Sequence, residues 1–322
     1  MKESDELKAF DAKLQSENLG PLWSSIHALN TIEPKAKPIP YLWKKAHIER
    51  HLEEAARLME VGGAVERRAV FLINPGMKDL QPLGWGGATQ TLYAAVQAVK
   101  PGEIAPAHRH TTTALRFIMK GRGAEGRVDG EKIPFEPGDY LITPTWAWHD
   151  HANQGDETVL WMDCLDTPFT MYMNVCFTEF HPDKQQPLQV PDDYSAQRYE
   201  GGMVRPVSDR TPQIAPLGRY KWEQTSRGLE GLSRFDPDPI EGYAVEYINV
   251  DGQRRQRPHR RPHAEASSEV SRESPPSCTQ LRVPCVQRKR LHRDERCEVR
   301  LVGRRLLRYP FLDMARACEY FG

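Results

Sequence analysis

The sequence predicts an all-β fold, a small antiparallel barrel or jelly roll, behind a helical N-terminal arm. Short apolar runs separated by glycine and proline turns follow one another between about residues 89 and 166, which is typical of such barrels. In the arm, Leu7, Phe10 and Leu14 recur at helical spacing. Two histidine clusters, about forty residues apart, lie within the barrel region and make a metal site the first candidate for function.

Composition and charge exclude several classes of partner. The 322 residues carry 44 Lys and Arg against 44 Asp and Glu, so net charge gives no general attraction to nucleic acid or to an anionic membrane. The sequence contains no run of 18 apolar residues, and its polar N-terminus lacks the apolar core of a signal peptide. Six cysteines without framework spacing favour a reducing compartment. We therefore expect a cytoplasmic protein without nucleic-acid or membrane partners.

Changes in pattern divide the chain into four predicted regions. They are an N-terminal arm with the first strands (1–87), the barrel (88–170), a proline-rich linker (171–248) and an atypical basic tail (249–322). In the arm, a second helical pattern runs from Leu42 to Leu58 after a proline-rich break. A buried strand at 70–73 then ends at the turn Asn74-Pro75-Gly76.

The barrel strands are predicted by apolar and β-branched runs between turns. Asp129-Gly130 is a strong hairpin signal, and Pro137-Gly138-Asp139 is a second turn. The predicted strands cover residues 91–99, 114–119, 140–143 and 159–163.

The histidine spacing predicts a metal site. His108 and His110 are two residues apart on one predicted strand and therefore point to the same face. His149, on a distant strand, supplies a third imidazole. An ion held by these three neutral imidazoles would keep about three coordination positions open. Such an ion keeps its full double charge and favours chelation by a dianionic substrate.

Both clusters resemble the paired motifs of the cupin superfamily. The first has Gly102, His108-x-His110 and a later Gly121; the second has Gly138, Pro144-x-Trp146, His149 and Asn153 at the family's spacing, with Trp146 where many cupins have glycine. The resemblance implies a double-stranded β-helix, or jelly-roll barrel. In many cupins a glutamate ligand follows four or five residues after the first histidine pair. Here those positions are Ala114 and Leu115, which cannot bind metal, so the resemblance implies a site of three neutral ligands.

The wider context, Ala105-Pro106-Ala107-His108-Arg109-His110-Thr111 and Pro144-Thr145-Trp146-Ala147-Trp148-His149-Asp150-His151, resembles gentisate 1,2-dioxygenases over about residues 1–248. The resemblance implies one Fe(II) per N-terminal cupin, bound by His108, His110 and His149. It also implies extradiol-type cleavage of gentisate (2,5-dihydroxybenzoate) by O2 to maleylpyruvate in aromatic catabolism. Family members are bicupins and typically oligomeric, so the resemblance also implies a homo-oligomer, a dimer or a tetramer, if the C-terminal region permits.

Further site residues follow from strand alternation. Arg116, six residues after His110, is expected on the same face, where a guanidinium can hold the substrate carboxylate. His151 should also face the site and is the candidate for hydrogen bonding or proton transfer. The remaining candidates are Tyr93, Ala95 and Gln97 as the face around the aromatic ring, Asp163 orienting a histidine or contacting substrate, and Arg68 as a second substrate contact.

Several alternatives remain open at this point. The substrate could be salicylate or 1-hydroxy-2-naphthoate, and Tyr93 and Ala95 are expected to help decide. The chain could instead be a non-catalytic cupin that binds a small aromatic acid, or a Zn or Mn isomerase-type cupin, although such sites more often include glutamate. The histidines could also be ordinary surface residues.

The tail departs from the expected second cupin. After about residue 249 the barrel pattern stops and an Arg-, Ser-, Pro- and Cys-rich stretch follows. We interpret it as translation in a shifted reading frame, and the alternative is a genuine disordered basic tail whose arginines contact nucleic acid. Loss of the second barrel would expose apolar surface and remove part of the oligomer interface.

Overall fold

A computed structural model describes most of the chain. It covers residues 4–32, 36–61, 65–78, 87–199, 217–238 and 242–247, and the backbone at 282–285 and 298–300. The chain divides into two compact units, Met1–Ala36 and Lys37–Gly322.

The first unit contains two helices, α1 (Asp5–Ser16) and α2 (Leu22–Leu29). The Ser4 hydroxyl accepts a hydrogen bond from the Leu7 N–H and caps α1. The Trp23 indole N–H donates to Asp11 at 3.1 Å and ties α2 to α1. The helical arm predicted from sequence is therefore present, although α2 lies between the two helical patterns recognised in the sequence.

The second unit consists mainly of short strands with four helices. The helices are α3 (Lys45–Leu58), α4 (Thr167–Tyr172), α5 (Tyr194–Tyr199) and α6 (Trp222–Leu232). The strands are β1 (Leu42–Lys44), β2 (Ala69–Phe71), β3 (Tyr93–Val99), β4 (Ile104–His110), β5 (Ala114–Lys120), β6 (Ala124–Val128), β7 (Glu131–Pro134), β8 (Tyr140–Thr143), β9 (His149–Asn153), β10 (Val159–Leu165), β11 (Thr178–Phe180), β12 (Arg219–Tyr220), β13 (Tyr243–Glu246), β14 (Arg282–Cys285) and β15 (Glu298–Arg300).

Two antiparallel sheets form the jelly roll that the sequence predicted. The six-stranded sheet has the order β12-β8-β5-β10-β3-β2, and the five-stranded sheet has the order β11-β4-β9-β6-β7. Trp161 and Ile118 from the larger sheet meet Phe135 and Ile133 from the other side in a core where each is at most 2% exposed. Each such side chain contributes about 1.5–3 kcal/mol by leaving water.

Helix α3 covers the outer face of the six-stranded sheet. Its apolar residues Ile48 and Leu52 are buried against Val96 and Met162. Strands β3 and β10 are therefore buried on both faces, which explains why their sequences read as nearly continuous apolar runs. The hairpin between β6 and β7 turns at Asp129 and Gly130, both with positive φ (46° and 82°), as the Asp-Gly signal predicted.

The sheets extend beyond the predicted barrel boundaries at residues 88 and 170. Strand β2 comes from the predicted arm, while β11 and β12 come from the predicted linker, and all three pair with barrel strands. The linker is also held by side chains: Arg219 Nε donates to Asp139 at 2.6 Å, and the buried Asp150 carboxylate accepts the Gln186 N–H at 3.0 Å. Residues 175–199 and 217–220 are therefore an integral part of the barrel and not a free connection.

Most of the tail lies outside the described residues, so its origin in a shifted reading frame stays a prediction. Two short tail strands are described: β14 pairs with β13, and β15 pairs with β1. Among the described residues, no helix is both long and apolar enough to cross a membrane.

Candidate active site

Three histidines converge at one end of the barrel. His108 and His110 lie on β4, and His149 lies directly opposite His108 on the neighbouring strand β9. Their candidate ligand atoms all lie within 4.8 Å of one another. The ring centroids of His108 and His149 are 4.3 Å apart, and those of His110 and His149 are 4.7 Å apart. The structure therefore brings together the three residues that the spacing singled out.

A backbone carbonyl two residues away in the chain holds each ring at Nδ1. The pairs are His108 with Pro106 at 3.0 Å, His110 with Thr112 at 2.8 Å and His149 with Ala147 at 2.9 Å. Because a carbonyl oxygen only accepts, these contacts favour the proton on Nδ1 of His110 and His149 and leave their Nε2 lone pairs for a metal. At His108 the donor-only Arg67 Nη2 also lies 2.9 Å from Nδ1, so the contacts there do not select one tautomer. The buried Nε2 of His149 has no hydrogen-bond partner among the described residues, an unfavourable state that a bound ion would relieve.

Burial keeps the three imidazoles neutral. Loss of hydration lowers the pKa of His108 to about 3, and the nearby charge of Arg67 acts in the same direction. Burial also lowers the pKa of His110, and it lowers that of His149 well below its ordinary value. Neutral imidazole is the form that binds metal, so the triad is in its binding form at neutral pH. The residues present fit a divalent metal ion of the kind imidazole prefers.

Arg116 reaches the site from the opposite sheet, where it is paired with Asp163. The two residues face each other on β5 and β10, and Arg116 Nε lies 2.9 Å from Asp163 Oδ1. Arg116 Nη1 also donates to the Thr143 hydroxyl, and the Trp161 indole N–H donates to Asp163 Oδ2 at 2.9 Å. Asp163 therefore orients Arg116, and not a histidine as the sequence suggested. Burial raises the pKa of Asp163, and the charge of Arg116 opposes that rise.

Arg67 is a site residue that the sequence reasoning missed. Its Nη2 donates to the Pro106 carbonyl at 3.1 Å and lies 2.9 Å from Nδ1 of His108. Burial lowers its pKa to about 10, while the charge of Asp163 raises it and that of Arg116 lowers it. Arg67 is therefore close to both members of the Arg116–Asp163 pair.

Arg68, predicted as a substrate contact, does not fit that role. Its side chain is 0% exposed and makes a two-bond ion pair with Glu103, at 2.8 and 2.7 Å. It also donates to the Met59 carbonyl at the end of α3. Successive strand residues face opposite ways, and Ala69 of β2 pairs with Gln97 on the site side. By the same alternation Arg67 faces the site and Arg68 faces α3.

The strand β3 places Tyr93, Ala95 and Gln97 on one face, as expected. Ala95 lies opposite Asp163, and Gln97 lies opposite Trp161. Burial, with the charge of Asp163 adding to it, raises the pKa of Tyr93 to about 12, so its hydroxyl stays protonated. This face therefore borders the Arg116–Asp163 pair.

His151 is buried beside the triad on β9. Its ring centroid is 6.0 Å from that of His149 and 5.3 Å from that of Trp161. Its Nδ1 is buried and has no hydrogen-bond partner among the described residues. Burial lowers its pKa well below the ordinary value, and the charge of Arg116 adds to the effect. His151 is therefore a buried, neutral imidazole beside the triad, and its Nδ1 is available for a hydrogen bond.

Comparisons with known proteins agree with this geometry. The Cupin domain family model matches residues 95–165. Gentisate 1,2 dioxygenase 1 of Aquipseudomonas alcaligenes is 38% identical over 250 residues, which cover 77% of this chain and 70% of that protein. A 1-hydroxy-2-naphthoate 1,2-dioxygenase of a Nocardioides species is 34% identical over 248 residues, 76% of this chain and 62% of that protein.

A solved structure shows the same arrangement of strands. Salicylate 1,2-dioxygenase from Pseudoaminobacter salicylatoxidans, crystallised as adducts with gentisate, superposes with a TM-score of 0.70 at 33% identity over 78% of this chain and 70% of that one. The chain thus spans about two thirds of the length of these relatives. With the fold, the histidine triad and these identities taken together, the chain belongs to the gentisate 1,2-dioxygenase family of ring-cleaving cupin dioxygenases.

Proposed function

We propose that the chain catalyses Fe(II)-dependent cleavage of gentisate by dioxygen. Both oxygen atoms enter the product, the bond between the carboxyl-bearing carbon and the neighbouring hydroxyl-bearing carbon breaks, and maleylpyruvate forms. The observation that carries the proposal is the triad of neutral imidazoles of His108, His110 and His149, with Arg116 reaching the site from the other sheet and Arg67 beside His108. An acidic aromatic substrate with adjacent carboxylate and hydroxyl groups matches both halves of this site.

The triad carries no negative charge, so one ferrous ion there would keep its double charge and favour a chelating anion. Bound ferrous iron would supply the redox chemistry that joins dioxygen to an aromatic ring, which no amino acid side chain provides. The Nδ1 contacts at Thr112 and Ala147 would hold the rings of His110 and His149 with their Nε2 atoms free to bind the ion.

The arginine pair would bind the substrate carboxylate. Arg116 is held by Asp163, and the charges of both residues act on Arg67, so two guanidinium groups share one carboxylate and leave a single uncompensated positive charge. A substrate carboxylate would neutralise that charge, and a guanidinium offers it two parallel hydrogen bonds. Arg116 is pre-oriented by the Thr143 hydroxyl, which limits the entropy lost on binding.

His151 would exchange a proton or a hydrogen bond with the substrate hydroxyl. Because burial keeps it neutral, it offers one donor and one acceptor nitrogen at neutral pH. The protonated hydroxyl of Tyr93, with Ala95 and Gln97, would line the ring's other side and decide which ring substituents fit.

The choice of substrate is the finer part of the proposal. Relatives of similar identity are named for gentisate, salicylate and 1-hydroxy-2-naphthoate, which share the adjacent carboxylate and hydroxyl but differ in the second hydroxyl and in bulk. We propose gentisate as the preferred acid, and the other two as alternatives. One iron per chain, a homo-oligomer and a cytoplasmic location also stay proposals.

Oxygen uptake tests the proposal. Purified protein is loaded with ferrous iron without air, and each of the three acids is added while dioxygen and ultraviolet absorbance of the ring-opened product are followed. We expect uptake matched one-to-one by product, fastest with gentisate. Bound iron and bound acid without oxygen consumption would instead identify a non-catalytic cupin, and activity with zinc or manganese in place of iron would contradict the iron assignment.

A further inference from the structure

One charged side chain behind the triad is not used by the proposed chemistry. Arg109 lies between the two β4 histidines in sequence and therefore points to the opposite face of the strand. Its guanidinium carbon lies 4.6 Å from the ring centre of Trp146 and 4.5 Å from that of Trp148. Both distances are within the range of cation–π contact, so the guanidinium touches two rings of one loop.

The same arginine is also fixed to the neighbouring strand. Arg109 and Glu179 are directly paired on β4 and β11, and the Arg109 Nε and Nη2 atoms donate to Glu179 Oε2 at 2.8 and 2.6 Å. Arg109 thus joins three segments: the strand with two candidate ligands, the edge strand β11, and the loop that leads into the third ligand.

That loop controls the orientation of His149. Ala147, between the two tryptophans, supplies the carbonyl that accepts the His149 Nδ1 hydrogen bond at 2.9 Å. Trp146 has a φ of 64°, in the left-handed region that residues other than glycine rarely adopt. Such a conformation persists only where surrounding contacts hold it. The Trp146 N–H donates to the His110 carbonyl at 2.9 Å, and the Trp146 ring packs against both the Arg109 guanidinium and the Phe177 ring, whose centre is 4.8 Å away.

We propose that Arg109 is a positioning residue for the metal centre. Stacked between Trp146 and Trp148 and anchored by Glu179, it fixes the Ala147 carbonyl, and that carbonyl fixes the ring of His149 with Nε2 toward the other two histidines. This inference rests on the proposed metal centre and deepens it. Arg109 does not touch the metal or the substrate, so its effect is on metal retention.

The test measures ferrous iron affinity by anaerobic equilibrium dialysis, with thermal unfolding recorded in parallel. Arg109→Leu removes the stacking and the ion pair, and the dissociation constant should rise on the order of tenfold to a hundredfold, as for other residues that orient a metal ligand. Arg109→Lys keeps the charge but loses the flat stacking surface, and should fall between Arg109→Leu and the parent chain. A matched control is Arg198→Leu, which removes an arginine lying over the rings of Tyr194 and Tyr199, on α5; its iron affinity should equal the parent's.

An iron affinity of Arg109→Leu within twofold of the parent's, with only the unfolding temperature lowered, would overturn the proposal. If Arg109→Leu does not fold, Glu179→Gln replaces it, because Glu179 is half exposed and its loss weakens the anchor alone; an unchanged affinity there would also overturn the proposal. A parent chain that binds no ferrous iron would overturn both the positioning role and the metal centre. A parent chain that binds iron but consumes no oxygen would refute only the proposed activity, and the weakened variants would still support the positioning role.

Discussion

Arg67 and Arg68 are adjacent residues just before β2, and replacing each with leucine should have different effects: loss of catalysis for Arg67 and loss of stability for Arg68. Arg68→Leu leaves the largely buried Glu103 carboxylate without its ion-pair partner on the α3 side of the strand. Breaking a buried ion pair costs about 3–5 kcal/mol. Because Glu103 keeps the Lys100 N–H at 2.7 Å, we expect the lower end, about 3 kcal/mol. In a domain of roughly 150–250 residues this lowers the unfolding temperature by about 6–12 °C.

Arg67→Leu should leave stability nearly unchanged and reduce catalysis. Its guanidinium touches the Pro106 carbonyl and faces the site, and it forms no ion pair within 4.0 Å among the described residues. A charged hydrogen bond to substrate is worth about 1.5–3 kcal/mol, so kcat/KM should fall about tenfold to a hundredfold, mainly through KM.

The assays are thermal unfolding and steady-state oxygen uptake on gentisate, with both variants measured beside the parent chain. The reasoning predicts an unstable Arg68→Leu with normal KM once folded, and a stable Arg67→Leu with raised KM. The reverse pattern, a raised KM for Arg68→Leu with unchanged stability, would refute the assignment of faces along this strand.

Three further outcomes are expected. Asp163→Asn should destabilise the fold by about 3–5 kcal/mol in urea unfolding, because it leaves the Arg116 guanidinium buried without its counter-charge, whereas a loss below about 1 kcal/mol would contradict that pairing. The metal-free protein should lose stability as pH falls from 7 to 5, because the pKa values of His149 and His151 are lowered in the folded chain and only the unfolded chain takes up protons near pH 6.5. Below about pH 6.5 each histidine should lower the free energy of unfolding by about 1.4 kcal/mol per pH unit. A urea midpoint that does not change with pH would refute this prediction. Gly126→Ala would place a methyl group 3.2 Å from His151 Nδ1 and 2.9 Å from the neighbouring Phe135 ring. Because this crowding displaces the His151 ring, kcat should fall while the iron content stays unchanged. An unchanged kcat would count against a role for His151.

The metal triad was predictable because its signal is local. His108 and His110 share a strand face by alternation, and His149 follows after four short strands, directly opposite His108. Arg116 was expected to share a strand face with His110, but it lies on β5 in the other sheet and reaches the site from there, so alternation along one strand does not account for its position. The partner of Asp163 was not predictable, because it depends on the register between β5 and β10, which the residues of either strand alone do not specify.

The errors arose where elements are too short to carry a pattern. Strands β11 and β12 have three and two residues, so no periodicity marks them, and their segments were assigned to a linker, whereas β2 was predicted as the strand at 70–73. Arg67 was missed, although the sequence contained a signal for it. Val70 and Leu72 are apolar and pack on the α3 side of the strand, so the residues alternating with them face the site. That alternation, traced back two residues from Val70, places Arg68 on the α3 side and Arg67 on the site side.

The most direct test of the account is iron content measured together with oxygen uptake for His149→Ala and His151→Ala. The two residues are neighbours on one strand face, both buried and neutral, but only His149 belongs to the triad. We predict that His149→Ala loses both the iron and the oxygen uptake, whereas His151→Ala keeps one iron per chain and loses most of its turnover. Iron retained by His149→Ala, or lost equally from both variants, would contradict the three-histidine centre.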